Sequence, residues 1–235
     1  MPTHVDGVTE TSGGGGGEGA PEAVSYHPAT AGAWTARSPS GGGVASVSGG
    51  ELVLTQPASP TTGDAHRASL MRSLAPDVGE GSPFEVSCRI NSLASQANVE
   101  LTIQINEEPD GTTGRELRVL IGHAGAVSIG YLTKGPPGDW HSVATGGSIP
   151  LDGTGYVCVR VYARHAEVLT ATSGDPDALD WTPCVSSVWD AALSGSGWGT
   201  STPPGPWRYW GVALTAYTST PGAEAHIDHA SIRRL

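Results

Sequence analysis

Phe84-Glu85-Val86-Ser87-Cys88-Arg89-Ile90 alternates apolar and polar side chains without a fault. Successive side chains on a strand point to opposite faces, so a period of two puts one face in a core and the other in water. The rhythm returns in Val99-Glu100-Leu101-Thr102-Ile103-Gln104-Ile105, in Tyr156-Val157-Cys158-Val159-Arg160-Val161-Tyr162 and in Ala166-Glu167-Val168-Leu169-Thr170. Turn-forming Gly, Pro and Asp separate the runs. Several half-buried strands joined by such turns describe an all-β chain, folded as an antiparallel β-sandwich.

Shorter runs extend the pattern on both sides. Ala33 to Arg37 reads as a first strand, and Val44 to Val47 and Glu51 to Gln56 as a hairpin about Gly49-Gly50. His66 to Leu74 fits a helical stripe through Leu70, Met71 and Leu74 as well as a strand. Its all-β surroundings favour the strand. Arg115–Leu120 and Gly125–Leu132 form a hairpin around Gly122 to Gly125, and Trp140 to Thr145 is a further strand. Residues 173–208 read as irregular, with four Trp among Gly and Pro. A loop of that length usually binds or packs against something. Tyr209 to Tyr217 and Ala225 to Arg233 close the chain as strands.

Residues 1–28 read differently. Gly13 to Gly17 is an unbroken glycine run in a stretch of low hydrophobicity. Such a segment buries too little apolar area to offset its conformational entropy. It is expected to be a tether, or an arm that becomes ordered on a partner, ahead of one β domain over residues 29–235.

The formal net charge is −11, and the only lysine is Lys134. An acidic chain lacks the clustered cations that neutralise phosphate, so a nucleic-acid partner is not expected. No apolar run approaches the length that crosses a bilayer, so no membrane span is expected. Met1 to Glu10 has neither a basic nor an apolar signal-peptide region, so export is expected by another route, such as release within an assembled particle. Three cysteines, Cys88, Cys158 and Cys184, are neither a disulfide framework nor a zinc pattern. They read as small buried thiols, and spacing alone does not decide whether Cys88 and Cys158 are bridged across the sandwich.

Three constellations are candidates for chemistry. In His226-Ile227-Asp228-His229, His226 and Asp228 share a strand face and His229 points away, but no third or fourth metal donor is identifiable. Asp110, Asp152, Asp175, Asp177 and Asp180 are acidic turn residues of the kind calcium uses, without EF-hand spacing. The reading is therefore no cofactor and no assigned metal site, with calcium the cation those turns would suit. The third set is aromatic: seven Trp stand against a single Phe. Trp and Tyr offer flat apolar faces with a polar handle, which both sugars and protein partners use. Trp181, Trp198, Trp207, Tyr209 and Trp210 are the candidate glycan- or partner-binding residues. There is no Walker A lysine, G-x-S-x-G, H-E-x-x-H or paired C-x-x-C, and nothing singles out a catalytic carboxylate pair, so no catalytic residue is assigned and no enzyme is expected.

From Ala33 onward the order of elements resembles the concanavalin-like, laminin-G-type jelly roll. The resemblance is carried by Trp34, Gly49-Gly50-Glu51-Leu52-Val53-Leu54, Phe84-Glu85-Val86, Tyr156 to Val161 with its returning strand, and Ile227-Asp228-His229-Ala230-Ser231-Ile232. The glycine-rich start and the Arg-over-Lys usage are similar to minor tail and other virion proteins of actinobacterial tailed phages. The resemblance implies a jelly-roll sandwich in a structural virion protein, localised to the particle and assembled as a homo-oligomer or symmetric array. Its N-terminal arm would bind neighbouring subunits, and its jelly roll would face a host-surface glycan. A carbohydrate-binding module and a capsid decoration protein are the alternatives.

Overall fold

The computed structural model describes residues 25–26, 33–37, 42–58, 66–79, 81–94, 99–108, 115–133, 140–162, 165–173, 175, 179–188, 207–216 and 222–235. The described chain is almost entirely strand, arranged in two antiparallel sheets. One sheet runs in the order β13 (Thr182–Val188), β12 (His165–Thr172), β11 (Gly155–Val161), β6 (Phe84–Ala94), β15 (Ala223–Arg234), β4 (Glu51–Gln56), β3 (Val44–Ser48). A two-residue β1 (Ser25–Tyr26) also pairs with β15, at Ile232 and Ser231, beyond the point where β4 ends. The other sheet runs β10 (Trp140–Ser148), β9 (Ala126–Thr133), β8 (Arg115–Gly122), β7 (Val99–Asn106), β14 (Tyr209–Ala216), β5 (His66–Ser73), β2 (Thr35–Arg37). This is the antiparallel jelly-roll sandwich that the alternation predicts.

The apolar half of each alternating run meets between the sheets. Val86 and Ile90 of β6, Val157 and Val159 of β11, and Ile227 and Ile232 of β15 face Leu101, Ile103 and Ile105 of β7 and Val212 and Leu214 of β14. Trp34 packs edge-on against Trp210 with ring centroids 5.1 Å apart. Gly49 and Gly50 both have positive φ, which is the backbone a two-residue hairpin turn with the strand's own twist requires. The sheets also meet at one edge, where a Cβ on Gly146 or Gly147 would press into Cys184, and the Cys184 thiol donates to the Gly146 carbonyl at 3.0 Å.

Three expectations change and one open question is settled. Thr182–Val188 forms β13 inside the stretch read as irregular. Cys184, Val185 and Val188 follow no strict alternation, and its partner β12 supplies the order. Ser25–Tyr26 is paired to β15 although it lies within the segment read as an arm. Cys88 and Cys158 sit on neighbouring strands one register step apart, Cys88 opposite Val157 and Cys158 opposite Ser87, so their side chains leave on opposite faces. No bridge joins them, and both thiols are free. His229 does not point away from Asp228. A bulge interrupts β15 between Asp228 and Ser231, and His229 takes φ 46° there. That backbone turns its ring back toward Tyr156, at 6.3 Å between centroids, and toward Asp228, at 3.8 Å.

Candidate functional site

The outward faces of the two sheets differ. On the eight-stranded sheet the outward polar residues pair with one another. Arg89 donates to both Asp228 oxygens, at 2.8 and 2.6 Å, and Asn91 donates to Asp228 at 3.0 Å and to Glu51 at 2.5 Å. Burial pushes the Asp228 carboxyl up, but the hydrogen bonds from Arg89 and Asn91 outweigh it and hold the group below the usual carboxylate range. His226 lies between two carboxylates, with Nε2 2.6 Å from Glu224 and Nδ1 2.7 Å from Glu51. Carboxylates only accept, so both ring nitrogens donate and the ring is an imidazolium. The Glu224 and Glu51 hydrogen bonds raise its pKa accordingly. His226 and Asp228 thus belong to an ion-pair network with Glu51, Glu224, Arg89 and Asn91. Among the described residues no group of three or more His, Cys, Asp or Glu is placed to hold a metal ion.

The outward face of the seven-stranded sheet is polar yet shielded. Cross-strand register sets its rows. Ser73, Tyr209, Asn106 and Glu116 lie side by side across β5, β14, β7 and β8, and Met71, Gly211, Gln104 and Arg118 form the next row. Glu116 is 0 %, Gln104 2 % and Asn106 3 % exposed. Outward polar residues on a flat sheet would be wetted.

One ion pair spans this face. Arg67 Nη2 donates to Glu116 Oε1 at 2.8 Å. Arg67 lies level with Thr215, Glu100 and Gly122, whereas Glu116 is six residues from Gly122 along β8, three strands away from β5. On a flat sheet the two Cα atoms would be about 25 Å apart, more than an Arg and a Glu side chain span together. The sheet therefore curves inward on this face. The Arg67–Glu116 contact crosses the hollow diagonally, over Gly211, Ala213 and Gln104. Arg118 adds a bidentate pair to Glu116, at 2.8 and 3.0 Å, so two guanidiniums compensate one buried carboxylate.

The floor of the hollow carries small side chains and is closely packed. Gly211 and Ala213 line it on β14. A Cβ at Gly211 would collide with the Leu70 carbonyl and approach Met71 Sδ to 2.5 Å, so Met71 already fills that position. Two polar atoms in the hollow, Gln104 Nε2 and Asn106 Oδ1, are buried and have no hydrogen-bond partner.

The aromatic candidates do not come together. Tyr209 is half-buried, stands beside Asn106 in register and shares the hollow's face, so it lies at the rim. Trp207, just before it, packs against the core. Trp210 is 0 % exposed and belongs to the interior with Trp34, so it has no face to offer a ligand. One step along a strand separates Tyr209 from Trp210, and that step reverses the side chain. Trp181 is half-buried at the start of β13, on the other sheet. Trp198 lies outside the described residues, as do Trp189, Asp110 and Asp177. Alternation did not mark Arg67, Gln104, Asn106, Glu116 and Arg118 as a site, because polar residues on a wetted flat face and on a shielded hollow give the same pattern.

No protein-family model matches this chain, and no curated protein sequence does. Solved structures do share its fold. The exoplasmic/lumenal domain of VIP36 in its Ca2+/Man3GlcNAc-bound form superposes with a TM-score of 0.55 at 9 % identity, covering 86 % of this chain and 83 % of that one. Lectin I from Ulex europaeus, in complex with the methyl glycoside of α-L-fucose, gives 0.53 at 13 % identity over 85 % and 92 % of the two chains. The CBM2 module of the evolved Dit of Lactobacillus casei BL23 phage J-1 gives 0.52 at 11 % identity over 90 % and 94 %. The fold is thus the lectin-like, concanavalin-like jelly roll.

Proposed function

We propose that this protein is a non-enzymatic carbohydrate-binding protein and that the hollow of its seven-stranded sheet is the binding face. The observation that carries the reading is the inward-curved, polar face, where Arg67, Glu116 and Arg118 converge and Tyr209 stands at the rim. Planar guanidinium, carboxylate and amide groups present paired donors and acceptors, which match the vicinal hydroxyls of a sugar ring. A Tyr ring supplies the flat apolar surface on which the C–H face of a sugar stacks. VIP36, the Ulex lectin and the phage module support the reading as proteins of the same fold whose names record sugar complexes or a carbohydrate-binding module.

A glycan array probed with the full chain tests this, followed by titration of the best ligand against Arg118→Met. Saturable binding that Arg118→Met weakens at least tenfold, in a variant that stays folded by circular dichroism although its melting temperature falls with the loss of one guanidinium from Glu116, is the expected result. No binding across neutral, acidic and N-acetylated glycans overturns it.

The likeness to a module carried by a phage protein favours one refinement: the protein displays its glycan-binding face on a virion, with the Gly13–Gly17 segment as the link to neighbouring subunits. Limited proteolysis of the free protein and of the particle tests it. Cleavage near Gly13–Gly17 when free and protection in the particle is the expected pair of outcomes; cleavage in both states leaves the segment a linker.

A further inference from the structure

We infer that the hollow selects sugars bearing an N-acetyl group, an inference that rests on the carbohydrate-binding reading and narrows it. Gln104 and Asn106 are successive same-face residues of β7, and both are almost fully buried. One presents an unpartnered donor, Gln104 Nε2, and the other an unpartnered acceptor, Asn106 Oδ1. Leaving such groups unpaired in a shielded site is costly, so sites of this kind are completed by a partner. The partner must accept at one end and donate at the other. Same-face neighbours on a strand stand about 6.7 Å apart. A trans acetamide placed between them has its carbonyl toward one and its N–H toward the other, and hydrogen bonds of ordinary length bridge that span. A sugar hydroxyl also donates and accepts, but through a single oxygen, which is too short to reach both.

The surroundings suit the methyl end of the group. Gly211 is level with Gln104, and Met71 Sδ lies against it, giving a small apolar floor beside the two amides. Above them runs the Arg67–Glu116 contact, which an entering sugar must part and whose groups its hydroxyls would then engage.

The test compares N-acetylglucosamine with glucose, and N-acetylgalactosamine with galactose, by titration calorimetry on the full chain. We expect the acetamido sugars to bind at least tenfold more tightly. That advantage should fall to about twofold in Gln104→Leu and be kept in Asn106→Asp, which retains the acceptor. Equal binding of both members of each pair overturns this inference and leaves carbohydrate binding standing. An acetamido preference that survives Gln104→Leu and Asn106→Leu, with both variants folded by circular dichroism, also overturns it, because the two amides are then an internal polar pair. No binding of any sugar overturns the underlying function as well.

Discussion

Glu116 is where the chemistry of the hollow is most sensitive to a single substitution. Its carboxylate is buried between Arg67 and Arg118. Removing one partner of a buried pair leaves charge without compensation, so Glu116→Ala should cost about 3 kcal/mol, read from the urea midpoint. Tyr209 should behave oppositely. It is half-buried at the rim, so Tyr209→Ala should lower sugar affinity about tenfold while costing under about 1 kcal/mol of stability. Trp210→Ala would create a core cavity next to Trp34 and cost about 4 kcal/mol, with any change in binding secondary to the fold. His226 gives a pH signature. Its folded pKa is raised by Glu224 and Glu51, so its contribution is fully present below the unfolded value of about 6.5. That contribution is lost as pH rises through the raised folded pKa. The melting-temperature advantage of the parent over His226→Gln should therefore be largest near about pH 5 and shrink at about pH 9; a gap independent of pH would show that the ring is not charged in the fold.

Among the elements, β14 carries the tightest steric demand. It lies between β5 and β7, and at Gly211 an added methyl would overlap the Leu70 carbonyl of its neighbour. Gly211→Ala should therefore destabilise by about 2 kcal/mol and also distort the floor of the hollow. Most strands were legible in the sequence because their side chains obey a period of two, and even the ambiguous His66–Leu74 resolved as β5, His66–Ser73. β13 and β1 were not legible. β13 reads as irregular chain, and β1 is two residues long, so their order comes from β12 and β15 across the sheet.

Over the whole molecule, the three thiols report the architecture. Burial pushes Cys88 up to about 12 and raises Cys158 well above its usual value, whereas Cys184 lies half-buried where the two sheets meet. A thiol reagent should label Cys184 alone in the native protein, slowly, and all three after denaturation. One reactive thiol after denaturation would instead mean that the other two are bridged. Alternation, turn residues and composition by themselves determined a β-sandwich with an acidic, lysine-poor surface and a glycine-rich start. They do so because side-chain period and turn chemistry are local properties of the chain. Only the tertiary structure decided where the polar faces matter. Whether Gln104, Asn106, Glu116 and Arg118 are wetted or shielded depends on how distant strands assemble and what packs over them, and that assembly leaves no mark on any one of them. The same assembly put Trp210 in the core and Tyr209 at the rim, although the two are neighbours in the chain.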